Sequence, residues 1–175
     1  MFASSEPLAF WVGLSVLALV ALQRLAELRL AERNTGRLLA RGGVETGSGH
    51  YPLFVVLHSA WLAALAAWVL LGEPALDWPL LGLFLVLQAG RVWVIWTLGP
   101  FWTTRIIVVP GQPRIRHGPY RFTRHPNYLV VTLEIAVLPL ALGAPLLALV
   151  FTILNALLLA HRIRLEEAAL RRLAN

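Results

Sequence analysis

Five apolar runs of roughly bilayer-spanning length, near 8–28, 52–71, 78–98, 126–143 and 145–162, constrain this chain more than any other feature of it. A helix needs about 20 consecutive apolar residues to cross the hydrocarbon core of a bilayer. Hydrophobic residues make up 58% of the 175 and charged residues only 14%, which is more apolar surface than one water-soluble core of this size can bury. The sequence therefore predicts an all-α, polytopic membrane protein with about five transmembrane helices in a single domain over 1–175. The first run has no basic segment before it and no small-residue cleavage pattern, so it reads as a retained span and not as a signal peptide.

Charge sets the orientation. Arg takes the place of Lys throughout, and all the Arg residues but Arg91 fall in three blocks: Arg24 to Arg41 after the first run, Arg105 to Arg124 after the third, and Arg162, Arg164, Arg171 and Arg172 after the fifth. The intervening connections carry only Glu73 and Asp77 in one and no charge in the other. Arg-rich connections stay in the cytoplasm, so the N-terminus is expected outside and the C-terminus cytoplasmic, with the chain in the cytoplasmic membrane. The same distribution argues against nucleic acid as a partner, although the pI is about 11.2. The absence of Cys excludes a disulfide framework, a thiolate zinc site and a cysteine nucleophile, and no metal is expected.

From Gln23 to Arg41, Leu recurs against Arg and Glu with helical spacing, so the first helix is expected to leave the membrane and lie along its surface as a solvated amphipathic face. Trp78, Trp93, Trp96 and Trp102 cluster around the third run and read mostly as headgroup anchors. The longest polar stretch, 99–125, holds the β-branched run Ile106–Val109 and the turn signal Pro110-Gly111-Gln112-Pro113. It is read as leaving the bilayer, turning and returning along the interface as a lid.

Two polar motifs frame the last two runs. Arg124-His125-Pro126-Asn127-Tyr128 places Pro at the first turn of the fourth helix, where its missing N–H costs nothing, and puts His125 at a helix start that favours an anion. His161-Arg162-Ile163-Arg164-Leu165-Glu166-Glu167 closes the fifth run, with Arg162 and Glu166 four apart on one helix face and Glu167 four before Arg171. A tight hairpin through Gly143-Ala144-Pro145 brings the two motifs together, at a mouth open to cytosol and lipid where a polar cofactor can meet a greasy substrate. Within the spans, Arg91 and Glu134 are read as pairing across helices; with His58 they are also the charges a transport path would use.

The stretch GPYRFTRHPNYL at 118–129, followed about 30 residues later by RIRLEEAAL at 162–170, resembles the isoprenylcysteine carboxyl methyltransferase family, in particular its small prokaryotic members. The likeness covers roughly 90–172. It implies S-adenosyl-L-methionine as cofactor, held in a part spanning about 99–172. It also implies that Tyr120, His125, Pro126, Asn127 and Tyr128 border the cofactor, with Gln112, Pro113, Arg114 and Ile115 in the lid. Glu166 would hold the cofactor as well, and Arg162 would face the substrate. The chain departs from the family in having Leu129-Val130 where a Gly commonly follows the final Tyr, and only Glu166-Glu167 as its acidic run.

Methyl transfer from a sulfonium is an in-line displacement that asks mainly for alignment and exclusion of water. A carboxylate or acidic enol is already anionic and needs no strong base, and the planar guanidinium of Arg162 suits such an anion. The expected activity is O-methyl transfer to a lipophilic small-molecule acceptor, a carboxylate or acidic enol, at the cytoplasmic membrane face, with membrane lipids around the protein and His125 in cofactor contact and helix capping. Two other readings use the same residues: a multi-pass NADPH-dependent reductase of sterol-like or fatty substrates, and a non-enzymatic transporter or assembly protein.

Overall fold

The computed structural model describes residues 6–173, and among them five α-helices: α1 (Glu6–Ala40), α2 (Tyr51–Leu71), α3 (Trp78–Leu98), α4 (Pro126–Ala141) and α5 (Pro145–Leu173). Two short strands, β1 (Val44–Thr46) and β2 (Ile106–Val108), lie in the α1–α2 and α3–α4 connections. Helices α1, α2, α3 and α5 each carry an apolar stretch long enough to span a membrane. At 16 residues α4 is about 24 Å long, short of a hydrocarbon core of about 30 Å. It ends at Ala141 rather than at 143 because Leu142 and Gly143 form the turn into α5. Gly143 has a φ of 73°, and a Cβ there would meet Ala75 at 3.1 Å, so both backbone conformation and space require glycine.

That turn is stitched to the α2–α3 connection. Ala75 N donates to Leu142 O, Asp77 N to Ala141 O and Trp68 Nε1 to Leu142 O. Asp77 also caps α3 by accepting from Leu80 N at 2.9 Å, with Pro79 in the first turn. At the opposite end of the bundle β1 pairs antiparallel with β2, Val44 facing Val108 and Thr46 facing Ile106. The two Arg-bearing connections therefore share one end, and the connection carrying Glu73 and Asp77 lies at the other. The ends of the chain, Met1 and Asn175, lie outside the described residues.

The core runs along the facing sides of α2, α3, α4 and α5, with Leu65, Phe84, Ile135, Leu138 and Leu142 fully enclosed. The outward faces stay apolar, as in Leu71 and Trp96, both more than 80% exposed, so lipid is their solvent.

Two expectations change. The α1 segment from Gln23 onward is not simply a solvated face: Glu27 and Asn34 turn into the bundle, and Asn34 Nδ2 donates to the carbonyls of Gly99 and Trp102. Trp102 is no headgroup anchor, being 3% exposed and packed with Ala31 and Val94, whereas Trp78, Trp93 and Trp96 are exposed. The Ile106–Val109 run does turn back at Gly111, but what holds it is β1, a partner too short to read from the sequence.

Midway through the bundle sits a charge quartet. Arg91 Nε and Nη2 donate to the two oxygens of Glu27 at 2.7 and 2.6 Å, and its Nη1 donates to Glu134 at 3.1 Å. Arg24 reaches both carboxylates at 2.8 Å, and Gln23 and Gln88 donate to the oxygens of Glu27 and Glu134. The expected Arg91–Glu134 pair is present, with two further members supplied by α1. A lone charge at the bilayer centre costs roughly 2.5–3.5 kcal/mol on insertion scales, so each of the four depends on the others.

Candidate active site

Pro126 begins α4 and is buried, which fixes Asn127 and Tyr128 in its first turn. Because α5 packs along α4, the end of α5 stands opposite that turn. Arg162 Nε donates to the Tyr128 hydroxyl at 2.8 Å, and that hydroxyl in turn donates to Glu166 Oε2. Arg162 and Glu166 share a helix face yet meet through Tyr128 rather than directly. Arg162 Nη2 also donates to Thr104 O at 2.8 Å, which ties the lid segment to α5 and leaves Nη1 without a partner among the described residues. The guanidinium packs over the rings of Phe54 at 5.3 Å and Tyr128 at 5.7 Å.

The His125 ring stacks on Tyr128, 5.2 Å between centroids and 12° between planes, and its Nε2 meets Glu167 Oε1 at 3.2 Å. It makes no side-chain cap to α4, contrary to the capping role read from sequence; its backbone turns at φ −131° and the side chain points at Tyr128 and α5 instead. Glu167 takes Arg114 of the lid as its second partner, at 3.6 Å, so its contacts run toward the site and not along α5.

Two cavities meet here. One, of about 170 Å³, is mixed in character and holds Tyr120, His125, Asn127, Tyr128, Arg162 and Glu166, roofed by Trp102 and the β2 strand. The other, of about 350 Å³, is largely apolar and runs between α1 and α2. Trp102, Thr103, Asn127, Tyr128 and Arg162 line both. Of the eleven residues singled out by sequence, six converge on the first cavity. Pro126 supports it from behind. Gln112, Pro113 and Arg114 are exposed on the lid with Ile115 half-buried beside them, and none of the four reaches the cavity wall.

This wall carries hydrogen-bonding capacity that the protein itself leaves unused. Among the described residues, Asn127 Oδ1 and Trp102 Nε1 are buried with no partner, and Oε1 of Glu166 has none either. Burial, with the Glu166 charge adding to it, pushes the Tyr120 phenol well above its ordinary range, so it remains a neutral donor. An unpaired acceptor, an unpaired donor, a carboxylate and aromatic faces make a set that fits S-adenosylmethionine, which carries hydroxyl and amine donors, adenine acceptors and a cationic sulfonium. Sequence reasoning missed Trp102 and Thr104. Both sit in a stretch without periodicity, and only the burial of Trp102 separates it from its anchoring neighbours.

Helices long and apolar enough to span a bilayer define a multi-pass membrane protein, and its polar pocket shares a wall with an apolar one. Residues 80–172 match the isoprenylcysteine carboxyl methyltransferase (ICMT) family, and the chain belongs to that family, whose membrane methyltransferases use S-adenosylmethionine. It is 38% identical to the Bacillus subtilis protein YpbQ, described as uncharacterized, over 93% of this chain and 96% of the relative. An uncharacterized protein of Haemophilus influenzae is 29% identical over 86% of this chain and 90% of its own length. No solved structure matches the chain significantly.

Proposed function

We propose that the protein is an S-adenosylmethionine-dependent O-methyltransferase of a lipophilic acceptor, a carboxylate or acidic enol, at the cytoplasmic face of the cell membrane. The observation that carries this reading is the shared wall of Tyr128, Asn127 and Arg162, with the polar cavity on one side and the apolar cavity on the other. A polar cofactor and a greasy acceptor need such a meeting point.

When bound, S-adenosylmethionine supplies a methyl group activated by its sulfonium. Glu166 and Asn127 accept from the cofactor's donors, Trp102 Nε1 donates to it, and Tyr120, His125 and Tyr128 border it. Gln112, Pro113, Arg114 and Ile115 form the outer cover, with Arg114 fastened to α5 through Glu167. Arg162 offers Nη1 to the acceptor's anionic oxygen, while its bonds to Tyr128 and Thr104 fix the guanidinium plane. Such an anion needs no base, and the chain's contribution is orientation and exclusion of water. Leu129, where the family commonly has a nearby Gly, is 56% exposed and lines neither cavity.

Calorimetry on the protein in detergent tests this. Binding of S-adenosylmethionine and of its demethylated product is expected, together with transfer of labelled methyl to an acidic lipid fraction. A folded sample that binds neither compound would contradict the proposal.

A further inference from the structure

The apolar cavity is not apolar throughout. It follows α2 from Tyr51 to Leu62, about 16 Å of helix, and below Arg162 it passes His58. The His58 Nδ1 lies 2.8 Å from Phe54 O. A carbonyl only accepts, so Nδ1 carries the hydrogen, and in the neutral ring Nε2 is an acceptor. Nothing among the described residues donates to it, although the ring lines the cavity. Arg24 and Arg91 line the same stretch, but Nη1 and Nη2 of Arg24 and all three guanidinium nitrogens of Arg91 are turned to Glu27 and Glu134.

Phe54 measures the separation. Its ring lies 5.3 Å from Arg162 Cζ and 6.4 Å from the His58 ring, so guanidinium and imidazole are at most about 12 Å apart. With a hydrogen bond of about 3 Å from each group directed into the space between them, two oxygens so held would be only a few ångströms apart, within one small head group. Beyond His58 and the neighbouring Ser59 the cavity wall includes Leu62 and Ala21, suited to a hydrocarbon tail.

Resting on the methyltransferase reading above, we propose that His58 is a specificity-determining residue. Its Nε2 accepts a hydrogen bond from a hydroxyl that the acceptor's head carries beside the oxygen taking the methyl. The acceptor class is then a long-chain acid or enol hydroxylated a few atoms from its reacting oxygen, in preference to a plain fatty acid. A hydrogen bond to a buried acceptor that would otherwise stay unmade should give about a tenfold preference, equivalent to about 1.4 kcal/mol.

The test measures binding of 3-hydroxyhexadecanoate and of hexadecanoate to the full protein in lipid nanodiscs, with binding of the demethylated cofactor followed in the same preparations. The native protein should favour the hydroxylated acid about tenfold. His58→Leu should bring the ratio to within twofold of one, and His58→Gln, which keeps an acceptor, should retain part of the preference and stands in if the Leu variant does not fold. An unchanged ratio in these variants, a native ratio near one, or failure of both acids to bind while the cofactor product does would overturn the role of His58 alone. Failure of the cofactor product to bind folded native protein would instead overturn the reading on which it rests.

Discussion

The quartet of Arg24, Glu27, Arg91 and Glu134 and the cluster of Arg162, Tyr128 and Glu166 use the same residue types to opposite ends. In the quartet every charged group is answered from within: both guanidiniums touch both carboxylates, and two glutamines donate as well. At the junction the bonds leave capacity over, in Arg162 Nη1, Glu166 Oε1, Asn127 Oδ1 and Trp102 Nε1. A charge network closed on itself holds helices in register. One left open, beside a cavity, is prepared for a ligand.

Breaking the quartet should have the largest effect on folding. Glu134→Leu leaves two guanidiniums sharing Glu27, and removing one partner of a buried ion pair typically costs about 3–5 kcal/mol. Thermal unfolding in detergent should show a strongly lowered midpoint, and an unchanged one would remove the distinction between the two clusters. At the junction the effect should fall on function instead. Glu166→Ala is expected to weaken cofactor binding about tenfold or more with little loss of thermal stability, because only a partly buried acceptor and its bond to Tyr128 are removed. Glu167→Ala should matter least, a few-fold at most, since Glu167 acts through His125 and a long contact to Arg114. Calorimetry that ranked Glu167 above Glu166 would reverse the assignment.

The fold was largely legible because membrane spans announce themselves by length and hydropathy, and both breaks around α4 carried Pro or Gly. The polar residues were less so. Arg91 with Glu134 was visible as two charges in apolar runs, but Glu27 and Asn34 were hidden in a stretch whose Leu, Arg and Glu spacing matches a solvated helix equally well. Only the contact with α3 and its following turn decides between them. Within the candidate site, the motifs at 124–128 and 162–167 could be placed together by hairpin geometry. That Tyr128 would stand between Arg162 and Glu166, and that Thr104 would hold Arg162 from the lid, depends on long-range packing that no local pattern encodes.

The central claim is a division of labour across one wall, cofactor on the Glu166 side and acceptor on the Arg162 side. It is tested most directly by measuring cofactor affinity and methyl turnover together in Arg162→Ala. The account predicts cofactor affinity within a few-fold of the native protein and turnover reduced at least about a hundredfold, the pattern of a residue that positions only the acceptor. Lost cofactor binding with acceptor affinity retained would contradict it.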